Sequence, residues 1–153
     1  MKIDEFAKKY RENMEAKLIN KGILFEHILD YDKVAELKNK WLTSFADGVK
    51  TDDIYINQFM WHIFSYKRVV CVEGDEATEN FNSQYKSQCY ILFQNHNDAY
   101  YLENAFDLIQ DDIIGGVDFM SNDLYVVNKR FNWTYVFTHE SDCGYCGPYY
   151  YHK

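Results

Sequence analysis

The strongest constraint on the fold is a change in hydrophobic period near residue 66. Before this point, apolar side chains recur every three or four residues, as on one face of a helix. After it, they form short continuous runs between turn residues, which is typical of buried strands. Helices followed by strands favour an α+β fold over alternating βαβ units. The sequence therefore predicts N-terminal helices packed on an antiparallel β-sheet of about four to six strands.

The predicted helical part covers about residues 1–66. Residues 4–20 have the pattern of an amphipathic helix. A second helix is predicted from Asp32, as its N-cap, to about Ala46, with an apolar face of Val34, Leu37, Trp41 and Phe45. A third helix is expected near 53–65, although its Ile, Tyr, Phe and Trp residues also favour a strand.

The predicted sheet part covers about residues 67–153. A buried strand at 69–72 ends at Gly74, and a short helix follows. Two hairpins are predicted, the first from 89–93 and 99–102, the second from 124–127 and 133–138. The segment 147–151 is expected to pack on the sheet. No linker or repeat divides the chain, so its 153 residues are predicted to form a single domain, 1–153.

Composition excludes several classes of protein. Hydrophobic residues make up 47% and aromatic residues 18% of the chain, which is too much for a disordered protein. No apolar run has signal-peptide or membrane-spanning length. We therefore expect a cytoplasmic protein that does not enter a membrane, with its four cysteines reduced.

Charge is unevenly distributed along the chain. The net charge is −8, yet residues 73–123 contain eleven acidic residues and a single basic residue, Lys86. Such a segment repels nucleic acid and attracts a basic protein partner. The residues chosen as its binding face are Asp107, Asp111 and Asp112. The alternative is that these acids only keep the protein in solution.

The most distinctive local pattern is His139-x3-Cys143-x2-Cys146-x5-His152. Paired thiolates and imidazoles can bind zinc, but a single Cys-x2-Cys pair without a second pair is weak evidence, so no metal and no cofactor are predicted. The two thiols are also read as a redox pair, or Cys146 as a nucleophile with His139 as its base. In the simplest interpretation both thiols are free and inert.

A second group of candidates surrounds the predicted end of the sheet. Hydroxyls, an imidazole and a thiol beside aromatic rings would suit a small polar ligand. The proposed members of this site are Trp133, Thr134, His139, Glu140, Cys146 and Tyr149. Trp61 and His62 are further binding candidates, although a histidine in so apolar a segment is more often a hydrogen-bonded core residue.

Several stretches resemble a known family. They are Phe59–Tyr66, Glu73–Ala77, Gln88–Ile91, Asn97–Glu103, Asp123–Val127, Phe131–Val136, Thr138–Glu140 and Cys146–Tyr149. Together they resemble the domain of unknown function numbered 4275, over about the last two-thirds of the chain. The resemblance implies a small bacterial cytosolic protein and implies no known activity, cofactor or catalytic residue. The family ending has no counterpart of Cys143, which makes the Cys143–Cys146 pair look incidental.

Two functional hypotheses follow. The first is a non-catalytic protein-binding module, immunity-like in blocking a basic partner through an acidic surface. Its layout is loosely similar to that of small immunity proteins of bacterial toxin systems. The alternative is a small-molecule-binding protein or enzyme with a site near the C-terminal sheet end.

Overall fold

Seven short strands form one antiparallel sheet in the computed structural model, which describes residues 2–114, 123–142 and 147–153. The strands run in the order β1-β4-β3-β5-β6-β7-β2. Their bounds are β1 Phe25–Ile28, β2 Val72–Glu73, β3 Cys89–Phe93, β4 Ala99–Leu102, β5 Leu124–Asn128, β6 Trp133–Phe137 and β7 Tyr149–His152. The helices are α1 Lys2–Asn20, α2 Tyr31–Phe45, α3 His62–Ser65, α4 Asp75–Ser83, α5 Gln110–Ile114 and α6 His139–Asp142.

Helices cover both faces of the sheet. Side chains of α1, α4 and α5 pack on one face, and we call these helices the first layer. Side chains of α2 and of residues 54–64 pack on the other face, and we call this the second layer. The sequence of β5 is continuously apolar because both faces of the strand are buried. Leu124 and Val126 pack in the core under the first layer, the first core, and Tyr125 and Val127 pack in the core under the second layer, the second core.

The α+β prediction and both hairpins are confirmed. Strand β3 pairs with β4, and β5 pairs with β6, in antiparallel register. The predicted extension at 147–151 joins the sheet as β7, which pairs with both β6 and β2. Strand β1, within the part predicted to be helical, pairs with β4 and becomes one edge of the sheet.

Helix α2 has the predicted buried face of Val34, Leu37, Trp41 and Phe45. Its N-cap is not Asp32, as the sequence predicts, but Asp30. The Asp30 carboxylate accepts hydrogen bonds from the backbone N–H of Asp32 at 3.0 Å and of Lys33 at 3.3 Å. An N-cap side chain must precede by two or three residues the N–H groups that it satisfies, and Asp32 already lies in the first turn.

The third predicted helix is largely wrong, because only α3 is helical between residues 53 and 65. Two backbone N–H groups there bind side chains of the sheet instead. Met60 donates to the Gln94 Oε1 at 3.0 Å, and Trp61 donates to the Tyr125 hydroxyl at 3.1 Å. The predicted strand at 69–72 is also wrong, since β2 begins only at Val72 and Val70 is 86% exposed.

No helix in the described part of the chain is both long enough and apolar enough to span a bilayer.

Candidate functional site

A fully buried carboxylate, Asp123, lies where β5 begins. Because Leu124 of β5 pairs with Phe137 of β6, the register brings the residues beyond these two ends together. The Asp123 Oδ1 accepts hydrogen bonds from the backbone N–H of His139 at 2.9 Å and from its ring Nδ1 at 2.8 Å. The Oδ2 accepts a third, from the Trp61 indole N–H at 3.0 Å. The carboxylate thus fixes both His139 and Trp61.

His139 is held by one ring nitrogen and reaches the surface with the other. Its side chain is 36% exposed, whereas that of Asp123 is 0% exposed. The ring Nε2 lies 4.0 Å from the Glu140 Oε2. An imidazole that donates its Nδ1–H to a buried carboxylate is oriented for proton transfer or ligand binding through Nε2.

Aromatic rings form a wall beside this histidine. The ring centroids of Phe59 and Trp61 lie 5.7 Å and 5.9 Å from that of His139. His62 packs edge-on against Trp61 at 4.6 Å, and its Nδ1 hydrogen-bonds to the Ile54 carbonyl. Tyr149 stacks on Trp61 at 6.3 Å. The structure therefore brings together five predicted binding residues, namely Trp61, His62, His139, Glu140 and Tyr149.

Two other predicted members of this site lie elsewhere. Trp133 opens β6 at the end remote from His139 and packs in the first core, against Phe81 and Tyr150. Six residues of extended chain separate Trp133 from His139, on the order of 20 Å. Thr134 is fully buried, where its hydroxyl accepts from the Trp41 indole N–H at 3.0 Å and donates to the Val126 carbonyl at 2.8 Å. Its hydrogen-bonding capacity is used within the core.

The histidines of the His139–His152 pattern are also far apart. His152 pairs with Trp133 in the β6–β7 ladder, so it lies at the opposite end of β6 from His139. The thiols Cys143 and Cys146 lie outside the described residues. Within residues 2–114, 123–142 and 147–153, no group of three His, Cys, Asp or Glu side chains could hold a metal ion.

The acidic candidates divide into a structural residue and two exposed ones. Asp112 is buried: its Oδ2 accepts from the Ile109 backbone N–H at 2.9 Å and from the Lys21 Nζ at 2.7 Å. Asp107 and Asp111 are exposed, and their backbone carbonyls accept hydrogen bonds from Lys21, which follows α1, and from Lys17 of α1, respectively. Asp112 therefore belongs to the fold, while the other two belong to the surface.

Asp123 is the site residue that sequence reasoning missed. The sequence marks it as one acid of the 73–123 segment and as the first residue of the family-like stretch Asp123–Val127, and neither pattern gives it a role in a site. Extending the predicted hairpin register by one residue would have placed it opposite Thr138, next to His139. An acid directly before a continuously apolar strand, facing a histidine across the hairpin, was the available signal.

The fold and this site define an α+β protein with a two-sided antiparallel sheet and a carboxylate-held histidine at one sheet end. The chain belongs to the family described as a domain of unknown function (DUF4275), which matches residues 13–150. The resemblance seen in the sequence is thereby confirmed. No curated protein and no solved structure matches the chain.

Proposed function

We propose that this protein is a non-catalytic binding module that captures a basic protein partner through an acidic surface formed by α4 and α5. The proposal places it in the cytosol of a bacterium, in an immunity-like role in which the bound partner is blocked. The observation that carries it is a set of exposed carboxylates on helices α4 and α5 of the first layer and in the turn before α5. They are Asp75, Glu76 and Glu79 of α4, Asp111 of α5 and Asp107 of the turn.

Contacts between α4 and α5 support one continuous surface. The Gln110 backbone N–H donates to the Asn82 Oδ1 at 2.9 Å, and its side-chain amide donates to the Thr78 hydroxyl at 3.2 Å. Across the described residues, none of the five carboxylates forms an ion pair. Unpaired charges of one sign on adjacent helices raise the encounter rate with an oppositely charged partner.

The acidic surface is smaller than the charge count predicts. Asp98, Asp112 and Asp123 all lie inside 73–123 but are turned inward, to Arg11, Lys21 and His139 respectively. Glu73 forms an ion pair with Lys67. These four acids offer little to a partner, so the proposed contact area centres on α4 and α5.

The test compares two sets of four charge-neutralising substitutions. The first set removes acids of the proposed surface: Glu76→Gln, Glu79→Gln, Asp107→Asn and Asp111→Asn. The matched control removes four exposed acids of α2 and of the loop that follows α2: Asp32→Asn, Glu36→Gln, Asp47→Asn and Asp52→Asn. Both variants gain the same net charge, so a general charge effect would change both equally.

Each protein is immobilised, exposed to lysate of the source bacterium and eluted with a salt gradient, and the eluate is read by mass spectrometry. We expect the wild type and the control to retain the same basic protein, and the surface variant to bind it about tenfold more weakly, because four exposed charges contribute modestly each. Equal elution of a basic partner from both variants, or no basic partner on the wild type, would contradict the proposal.

A second candidate function, a small-molecule site or enzyme, is favoured by the Asp123–His139 contact. A carboxylate-held imidazole beside Phe59 and Trp61 offers one polar anchor and an aromatic wall. We test it with a library of small polar compounds and NMR detection at the Trp61 indole N–H and the His139 ring. Compounds that shift both signals in the wild type and in Lys8→Gln, and that no longer shift the Trp61 signal in His139→Gln, would support the site. A library without any such compound would count against it.

A further inference from the structure

A polar cleft of about 400 Å³ opens at the end of the sheet opposite His139. Three segments wall it: the loop 84–88 between α4 and β3, the turn 128–133 between β5 and β6, and His152 at the end of β7. Strand register brings them together, because Cys89 pairs with Asn128 and Trp133 pairs with His152. The cleft is therefore built by the sheet and not by a passing contact between loops.

A buried ammonium holds the first wall. Lys86 is 1% exposed, and its Nζ donates to the carbonyls of Phe81 at 2.7 Å, Gln84 at 3.0 Å and Asn82 at 3.3 Å. Burial lowers the pKa of Lys86. The Tyr150 hydroxyl of β7 donates to the Gln84 side chain and ties the same loop to the sheet. A wall fixed in this way is formed before any ligand arrives.

Side-chain and backbone hydrogen bonds hold the second wall. The Asn128 Oδ1 accepts from the backbone N–H of Asn132 at 3.0 Å and of Trp133 at 3.2 Å. The Lys129 N–H donates to the Gln88 carbonyl at 3.0 Å, which joins the turn to the first wall. Phe131 takes a positive φ of 55° and is buried in the second core, whereas Lys129 and Arg130 stay exposed.

The cleft differs in charge from the rest of the molecule. The protein has a net charge of −8, yet no carboxylate occurs among the described residues that line this cleft. Its basic residues are Lys129, Arg130 and His152, and the remaining lining is polar or aromatic: Gln84, Tyr85, Ser87, Gln88, Asn128, Asn132 and Trp133. Such a lining raises the local concentration of anions, and Ser87 and Gln88 can offer hydrogen bonds to a ligand that carries hydroxyl groups.

We propose that this cleft binds a phosphorylated small molecule that carries hydroxyl groups. Arg130 can bind two phosphate oxygens at once through its guanidinium, and Lys129, whose Nζ lies 5.8 Å from the Tyr101 ring centroid, adds positive charge to the lining. Ser87 and Gln88 on the other wall line the space for the hydroxylated remainder of the ligand. The cleft volume lies in the range of small-molecule sites. This site is independent of the acidic surface and of His139.

The probes are ribose phosphate, inorganic phosphate and free ribose, each titrated into the isotope-labelled full chain and followed by amide NMR shifts. We expect ribose phosphate to bind with a dissociation constant of about 1 mM or tighter. Its shifts should map to residues 87–88, 129–132 and the Trp133 indole. Free ribose should bind far more weakly, because it lacks the anion.

Two double variants with equal loss of charge make the test specific. Lys129→Gln with Arg130→Gln removes the cations of the cleft, whereas Lys8→Gln with Lys9→Gln removes two exposed cations of α1. We expect the first to weaken ribose phosphate binding about tenfold and the second to change it less than about twofold. Near-ultraviolet circular dichroism verifies that both variants fold.

Equal weakening in both variants, shifts that map outside the cleft, or no saturable binding by the wild type would overturn the proposal. If inorganic phosphate bound as tightly as ribose phosphate, the claim that polar side chains of the cleft recognise the hydroxyl groups of the ligand would be wrong.

Discussion

Two inward-facing aspartates, one in each half of the molecule, bind a histidine in different ways. Asp98 lies under α1, where Arg11 donates from Nε at 2.6 Å and from Nη2 at 2.8 Å, and the His27 Nε2 lies 2.7 Å away. Asp123 lies under residues 59–61 and takes its hydrogen bonds from Trp61 and His139. In the described part of the chain, no lysine or arginine pairs with Asp123.

The difference assigns the two histidines different roles. At Asp98 a guanidinium already balances the carboxylate, and the His27 ring lies stacked on Tyr100 at 4.3 Å. At Asp123, His139 is the one described partner that can carry a positive charge. A ligand that contacts His139 therefore meets a ring held by a buried carboxylate, and the candidate chemistry is placed at His139 and not at His27.

The largest effect is expected from Asp123→Ala. The substitution leaves the Trp61 indole N–H and the His139 backbone N–H without their buried acceptor, and it adds a cavity. We expect the free energy of unfolding to fall by about 4 kcal/mol, measured by urea denaturation. Asp123→Asn should cost less, because its amide oxygen still accepts hydrogen bonds. A loss under about 1 kcal/mol for the alanine variant would show that neutral donors do not depend on this carboxylate.

A smaller and pH-dependent effect is expected from Arg11→Met. Burial raises the pKa of Asp98, but hydrogen bonds from Arg11 and His27 and their charges outweigh it, and the pKa lies at about 2 instead of 3.8. We expect a loss of about 3 kcal/mol in the free energy of unfolding at neutral pH, because Asp98 keeps a partly buried charge with one strong partner fewer.

The pH dependence of this loss follows from the depressed pKa. The stability from ionised Asp98 is fully present above its ordinary pKa of 3.8 and disappears as pH falls through about 2. The difference between wild type and Arg11→Met should therefore stay constant down to about pH 4 and shrink from there towards pH 2. Urea denaturation at a series of acid pH values measures it. If the stability difference between wild type and Arg11→Met did not change between about pH 4 and about pH 2, the charge of Arg11 would not stabilise ionised Asp98. Asp98 and Asp123 would then no longer differ in how they are held.

The smallest effect is expected from Asp112→Asn. Asp112 combines the two kinds of partner, a cation as at Asp98 and a backbone N–H as at Asp123. Asp112 has one backbone donor, Ile109, and one cation, Lys21. The asparagine oxygen can keep the first hydrogen bond and loses the ion pair, so we expect a loss of about 1 kcal/mol. Asp111→Asn is the matched control, since its exposed side chain forms no ion pair among the described residues. Equal thermal unfolding temperatures for the two variants would show that the Lys21 contact contributes nothing.

Local patterns in the sequence predict the elements whose partners are close in the chain. The buried face of α2 and both hairpins follow from spacing and turn residues alone. The failure at 53–65 has a different origin, because its backbone N–H groups bind Gln94 and Tyr125, more than thirty residues away. No local pattern contains those partners.

The same limit explains the candidate site. The chemistry of Trp61, His139 and Tyr149 makes them binding candidates, and the structure places them together. Trp133 and Thr134 are expected at the same end of the sheet, but strand length and alternation of faces separate them from His139. Asp123 was missed because its role depends on strand register, which a list of acidic residues does not contain.

The strand order has a consequence for synthesis on the ribosome. Both edge strands, β1 and β2, pair with strands made much later: β1 at 25–28 waits for β4 at 99–102, and β2 at 72–73 waits for β7 at 149–152. At translation rates of about 5–20 residues per second, a gap of about 75 residues is a delay of roughly 4–15 s. During this delay, the apolar faces of α1 and α2 have no complete sheet to pack against. The strand order therefore predicts that the nascent chain exposes apolar surface during synthesis, and that slower translation prolongs its exposure to aggregation.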